Sequence, residues 1–169
     1  MCEQETTQKT SILEATAELS TLLKSNLTET FIIVGSTALL AHGVAGVQES
    51  DIDIIVEETE MSKLMALFGV KPYLKYSDCD TFYSTYLKTE WRGYQVEICS
   101  GLTIKGRNGN KDLQVYPGKY AVTDLRHKGK TIHSVARLGF MSQLLKAFGR
   151  DKDLRRARLI EKHLLKNVA

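Results

Sequence analysis

Residues Phe31–Glu58 read FIIVGSTALLAHGVAGVQESDIDIIVEE, and this stretch decides the fold expected for the chain. The apolar segment Phe31–Val34 predicts a short buried strand. The small residues that follow it lead into a short helix, which we expect at Ser36–His42. A second apolar segment, Ile52–Val56, predicts another buried strand. Strand, helix and strand in this order indicate an α/β protein.

Two aspartates mark the start of the second predicted strand. Asp51 and Asp53 are two residues apart, so their side chains are expected to leave the same face of the sheet. Like charges this close repel each other unless a cation lies between them. Mg²⁺ prefers carboxylate oxygens and commonly bridges to substrate phosphates, and a Gly-Ser turn at a helix start offers N–H groups and a hydroxyl to a phosphate. The stretch therefore predicts a site for a metal and a triphosphate.

The size and composition of the chain are those of an ordinary globular domain. Its 169 residues predict one domain around a single core. Hydrophobic residues make up 43% and charged residues 25%, and only two prolines are present, which argues against a long disordered linker. The net charge of +3 is compatible with a polyanionic ligand such as a nucleotide, but alone it does not indicate nucleic-acid binding.

The sequence predicts a cytoplasmic protein without a membrane segment. No apolar run approaches the ~18 residues of a transmembrane helix, and the polar N-terminus lacks the apolar core of a signal peptide. Cys2, Cys79 and Cys99 are scattered and have no paired spacing. We therefore expect reduced thiols rather than a disulfide framework, and no zinc site.

The rest of the sequence divides into a polar tail at residues 1–10, a core at residues 11–133 and a helical segment at residues 134–169 that packs on the core. Ser11 and Glu14 predict a capping box at the first helix. Further elements are expected as helices at Ser11–Lys24 and Glu60–Phe68, strands at Thr81–Lys88, Tyr94–Cys99, Leu113–Tyr116 and Lys130–His133, and a loop at Gly101–Lys111. Because two of these strands form a hairpin, we expect an α/β (α+β) fold with a mixed sheet flanked by helices.

Two apolar stripes predict two helices in the C-terminal segment. The break between them is expected at Gly149–Asp151. The residues of the stripes are Leu138, Met141, Leu145 and Phe148 in the first helix, and Leu154, Ala157, Ile160 and Leu164 in the second.

Phosphoryl transfer to a hydroxyl needs a proton acceptor as well as metal ligands. Glu97 is the best candidate for this third acid, because it lies between Val96 and Ile98 in a predicted strand. An unpaired charge is too costly to bury there, so its side chain must face a site or an edge.

These segments resemble the nucleotidyltransferase superfamily that includes DNA polymerase beta. The superfamily pattern is a Gly-Ser at a helix start, a strand with acid-x-acid and a third acid on a following strand, and here it reads GSTALLAHG, SDIDIIV and VEI. Within the superfamily, the chain is similar to the minimal nucleotidyltransferase group, with its antitoxin-type proteins, and to the lincosamide nucleotidyltransferases. The segment LLKAFGRDKDLRRARLI resembles the helical segment with an R-x-K-D sequence that follows the core in these proteins.

The resemblance implies roles for the three acids. Asp51 and Asp53 would ligate Mg²⁺ in a two-metal site. Glu97 would help to hold one metal and would deprotonate the acceptor hydroxyl.

It also implies contacts to the nucleotide. Gly35 and Ser36 would bind its terminal phosphates. Lys146, Arg150 and Lys152 match basic positions near the triphosphate in similar proteins. The chain departs from many small relatives just before the acid pair, where they carry an arginine and it has Gln48 and Glu49.

The expected function is Mg²⁺-dependent transfer of a nucleoside monophosphate, with AMP from ATP as the expected case, to an acceptor hydroxyl with release of pyrophosphate. The acceptor is left open among a small molecule, a tRNA and a protein. The short chain leaves little room for an acceptor domain, so a homodimer or a complex with a toxin-type partner is a further expectation. The alternative is a non-catalytic nucleotide-binding or antitoxin-type module of the same fold. A third hypothesis, nucleic-acid binding by the basic C-terminal helices, predicts a steeply salt-dependent affinity.

Overall fold

The protein folds as a mixed β-sheet flanked by helices, as a computed structural model shows for residues 10–76, 81–106 and 111–167. The helices of this part of the chain are α1 (Ile12–Asn26), α2 (Gly35–Ala41), α3 (Met61–Phe68), α4 (Leu138–Phe148) and α5 (Asp151–Lys166). Its strands are β1 (Ile32–Val34), β2 (Ile52–Val56), β3 (Tyr73–Tyr76), β4 (Phe82–Trp91), β5 (Tyr94–Ile104), β6 (Leu113–Gln114), β7 (Val122–His127) and β8 (Lys130–Ala136). Two 3-10 turns, Glu58–Glu60 and Lys119–Ala121, precede α3 and β7.

The strands are ordered β3-β4-β5-β2-β1-β8-β7 across the sheet, and β6 adds to β5. The pairs β2–β5 and β1–β8 are parallel, whereas β1–β2, β3–β4, β4–β5, β5–β6 and β7–β8 are antiparallel. This mixture confirms the fold class predicted from the β4–β5 hairpin.

The register of the central strands brings four residues into one row across the sheet. Val34 of β1 pairs with Asp53 of β2, Asp53 pairs with Glu97 of β5, and Glu97 pairs with Lys88 of β4. Side chains of paired residues point to the same face of a sheet. Two acids and a lysine from distant parts of the sequence therefore lie side by side.

The predicted capping box at the start of α1 is confirmed, and the end of α3 also has a local cause. The Ser11 hydroxyl accepts a hydrogen bond from the Glu14 N–H at 3.3 Å, and the Glu14 carboxylate accepts one from the Ser11 N–H at 3.1 Å. This is the predicted capping box of α1. Helix α3 ends at Gly69, whose φ of +64° is a conformation that favours glycine.

The loop predicted at Gly101–Lys111 is wrong at its start, because β5 continues to Ile104. Leu102 and Ile104 are buried and hold the strand in the core. Gly101 has a φ of +58°, and the β4–β5 register shifts between Tyr83 and Thr85, so the strand passes this point as an irregularity. Residues 107–110 of the predicted loop lie outside the described residues.

Two strands were not predicted, and two residues of one predicted helical stripe are exposed. Strand β7 lies at an edge of the sheet, where polar residues are tolerated, so its sequence VTDLRH carries a weak strand signal. Strand β3 lies at the opposite edge. In α5, Leu154 and Leu164 are exposed, whereas the buried residues follow the spacing Asp153, Ala157 and Ile160.

The predicted boundary between the core and the C-terminal segment falls inside a strand. Strand β8 runs to Ala136, three residues beyond the expected end of the core at residue 133. The predicted tail lies outside the described residues except for residue 10. In the described ranges, every helix is too short or too polar to cross a membrane.

Candidate metal and nucleotide site

Three carboxylates converge at the centre of the sheet. Oxygens of Asp51, Asp53 and Glu97 lie within 4.8 Å of one another, and all three side chains are half-buried. Asp53 and Glu97 are direct neighbours on the parallel strands β2 and β5, and Asp51 stands just before β2. The structure thus brings together the three acids that the sequence analysis selected.

The pKa of Asp53 reports how unfavourable three ionised acids are at this place. Burial, with added repulsion from Asp51 and Glu97, raises the pKa of Asp53 from 3.8 to about 8, and the positive charges of Arg156 and Lys152 oppose this only in part. A bound divalent cation would remove the repulsion and replace the lost hydration. The donor set contains carboxylate oxygens, which are the ligands that Mg²⁺ prefers, so these residues fit the metal that the resemblance implies.

Gly35 allows the turn after β1 to lie against the acid strand. Its φ of +71° is strained for any residue with a side chain, and a Cβ there would lie 2.3 Å from Asp53 Oδ2. Both features require glycine at this position. The carboxylate of Asp53 can therefore approach the backbone at the start of α2.

Hydroxyl groups hold Asp51 in place. The Ser50 hydroxyl donates a short hydrogen bond to Asp51 Oδ1, and it lies 3.0 Å from the Ser36 hydroxyl. Thr37 Oγ1 donates to the backbone oxygen of Asp51 at 3.0 Å. Ser36 and Thr37 are fully buried. The Ser36 hydroxyl therefore supports Asp51 indirectly, through the hydroxyl of Ser50.

A cavity of about 330 Å³ opens beside the acids. Gly35, Ser50 and the three acids line one part of it, and Lys152 and Arg156 of α5 bring two positive charges. Its apolar wall is formed by Phe82, Tyr86, Leu102, Met141, Leu144, Leu145 and Phe148, among others. The cavity therefore joins a charged region to an apolar region.

The predicted basic residues differ in their placement. Lys146 is exposed and forms an ion pair with Glu161 at 2.8 Å. It does not line the cavity, because α4 turns its apolar face toward the cavity and Lys146 lies outside that face. Arg150 lines the cavity, but its Nε and Nη2 atoms donate hydrogen bonds to the carboxylate of the buried Asp153 at 2.5 and 3.2 Å. Its guanidinium also lies 5.4 Å and 5.2 Å from the ring centres of Phe82 and Phe148. Arg150 thus joins α5 to the cavity wall.

Sequence analysis selected Lys152 only through the resemblance of its segment and did not select Arg156. The two residues are four apart in α5, a spacing that puts side chains on one face of a helix. This spacing was the available signal. It could not be used alone, because Arg155 and Arg158 lie in the same run and are exposed.

A solved structure supports the fold. The chain is similar to a protein from Thermotoga maritima described as a "putative nucleotidyltransferase", with a TM-score of 0.59, 20% identity, and coverage of 88% of this chain and 93% of that one. No family model matches the chain, and no curated protein does. At 20% identity, this likeness shows a nucleotidyltransferase-like fold but not the function.

Proposed function

We propose that the protein is a Mg²⁺-dependent nucleotidyltransferase that moves a nucleoside monophosphate from a nucleoside triphosphate to an acceptor hydroxyl. The observation that carries this proposal is the convergence of Asp51, Asp53 and Glu97 beside a cavity with cations from α5. The nucleotidyltransferase-like fold supports it.

The acids would hold one or two Mg²⁺ ions, which would supply neutralisation of the phosphate charges. Glu97 would accept the proton of the acceptor hydroxyl on a carboxylate oxygen. The acceptor oxygen then forms a bond to the α-phosphorus, the bond from that phosphorus to the bridging oxygen breaks, and pyrophosphate leaves. Lys152 and Arg156 would bind the phosphates. The resemblance gave this role to Lys152 together with Lys146 and Arg150, and it did not include Arg156.

The apolar wall of the cavity is the proposed place of the nucleobase. Aromatic and aliphatic side chains such as Phe82, Tyr86 and Leu102 bury an aromatic ring favourably. ATP remains the expected donor, and a small molecule, a tRNA or a protein the proposed acceptor. We also propose that the protein is cytoplasmic, and that it forms a homodimer or binds a toxin-type partner.

The direct test is transfer of label from α-labelled ATP to candidate acceptors in the presence of Mg²⁺. We expect transfer that chelation abolishes, and that Asp53→Ala and Glu97→Gln reduce by at least about 100-fold. The control is Glu58→Gln, an exposed acid outside the cluster, which should transfer at the wild-type rate.

Two results would speak against the proposal. Transfer by Asp53→Ala at the wild-type rate would reject the assignment of the acids. Tight binding of ATP and Mg²⁺ without transfer to any acceptor would support a non-catalytic nucleotide-binding or antitoxin-type module instead.

A further inference from the structure

Lys88 extends the row of acids on the side away from Gly35. Its Cα pairs with that of Glu97 across the β4–β5 hairpin, whereas Gly35 follows β1 on the other side of Asp53. The order across the sheet is therefore glycine turn, acid, acid, lysine. This lysine is a direct neighbour of the third acid in the sheet, and the sequence motif does not contain it.

The side chain of Lys88 contacts the third acid directly. Its Nζ lies 2.5 Å from Glu97 Oε1, and Gln95 Nε2 lies 3.5 Å from the same oxygen. The Lys88 side chain is 38% exposed, but that of Glu97 is only 13% exposed. The shielding makes this pair stronger than one between two fully hydrated ions.

The other cations near the cluster act differently. Lys152 and Arg156 affect Asp53 through their charge from α5. Lys88 instead holds a carboxylate oxygen by a charge-assisted hydrogen bond from within the sheet. In the protein without metal, its ammonium group offsets part of the negative charge of the three acids.

We propose that Lys88 is a built-in counter-ion of the acidic cluster, and that a divalent cation must compete with it for Glu97. Lys88 is a positioning residue in this proposal, since it acts through Glu97. It sets the metal concentration at which the site fills. The inference rests on the proposed function to the extent that it requires metal binding by the three acids.

The test is a calorimetric titration of the protein with Mg²⁺ and separately with Mn²⁺, without nucleotide, at pH 8. Lys88→Met keeps the length of the side chain and removes the charge. We expect it to lower the Kd for both metals about three- to tenfold, because a competing and repelling charge is gone. Lys88→Arg keeps the charge and should bind within about twofold of wild type.

A matched control is Lys130→Met. Lys130 forms a more exposed ion pair with Glu18 at 2.9 Å, outside the row of acids, so its loss should leave the metal Kd unchanged. Thermal unfolding of each variant confirms that it is folded.

The possible failures separate the two proposals. Equal or weaker metal binding by Lys88→Met, with wild type binding normally, would overturn the role of Lys88 and leave the transferase proposal standing. Absence of metal binding by wild type would overturn the role of Lys88, and the label-transfer test would then decide the transferase proposal separately. If Lys88→Met does not fold, Lys88→Gln takes its place, and the same comparison decides.

Discussion

Gly35 is the residue whose replacement should disturb the site most specifically. An alanine there would adopt a strained φ of +71° and would place its Cβ 2.3 Å from Asp53 Oδ2. We expect Gly35→Ala to lower the free energy of unfolding by about 1–3 kcal/mol and to weaken Mg²⁺ binding, since Asp53 must move. Chemical denaturation and metal titration measure the two effects.

Gly43 provides the control for this substitution. Its φ of +74° is nearly the same, but a Cβ there would have no atom within 4 Å. Gly43→Ala should therefore show the backbone strain without the loss of metal affinity. Equal effects of the two substitutions on metal binding would contradict the proposed contact between the turn and Asp53.

Asp53 also predicts how the stability of the metal-free protein depends on pH. Its pKa is about 8 in the folded protein and 3.8 ordinarily, so the folded state binds more protons than the unfolded state between these values. The contribution of Asp53 to the free energy of unfolding should therefore be complete below pH 4. It should be lost as the pH rises from about 4 to 8, with a slope of at most about 1.4 kcal/mol per pH unit.

Denaturation curves at pH 5, 6, 7 and 8 in a chelator test this dependence. Asp53→Asn should flatten the slope and should stabilise the metal-free protein at pH 8, because it removes a repelled charge. Saturating Mg²⁺ should flatten the slope of wild type as well. An unchanged slope in Asp53→Asn would show that Asp53 does not titrate in this range.

At the scale of elements, helix α5 supplies positive charge to the cavity. Its first turn is fixed by the bond from Arg150 to the buried Asp153, and Lys152 and Arg156 follow on the cavity side. We expect Arg156→Met to weaken binding of a non-hydrolysable ATP analogue with Mg²⁺ about tenfold, since one charge-assisted phosphate contact is lost.

Arg155→Met is the control for this prediction, because Arg155 is the exposed neighbour in the same helix. It should bind the analogue within about twofold of wild type. If both substitutions weaken binding equally, the effect is one of net charge, and α5 does not present Arg156 to the phosphates. Calorimetry at two salt concentrations makes this distinction.

The elements that the sequence revealed are those with strong local signals. Apolar runs fixed β1 and β2, a capping box marked α1, and a left-handed glycine ended α3. Edge strands β3 and β7 were missed, because residues at a sheet edge need not be apolar. The extension of β5 through Gly101 was missed, because its pairing with β4 and β6 is decided by tertiary contacts.

In the candidate site, too, residues with local sequence signals could be predicted, whereas residues positioned by tertiary contacts could not. The spacing of Asp51 and Asp53 is local, and the apolar neighbours of Glu97 indicated a strand, so these residues could be selected. Neither Lys88 nor Arg156 could be placed, since strand register and the packing of α5 decide which charges reach the acids.

At the scale of the whole molecule, the sheet gathers residues from distant parts of the chain. Asp53 and Glu97 come together because β2 and β5 are parallel neighbours, and the C-terminal helices complete the cavity over them. The site therefore depends on the full fold. The proposed function requires these acids to hold a metal-bound nucleotide.

The most direct measurement is a crystal structure with Mn²⁺ and a non-hydrolysable ATP analogue, in which the anomalous signal locates the metal. We expect one or two Mn²⁺ peaks bound by Asp51, Asp53 and Glu97, with the phosphates between Gly35 and the side chains of Lys152 and Arg156. Mn²⁺ bound away from these acids, or a triphosphate outside the cavity, would contradict it.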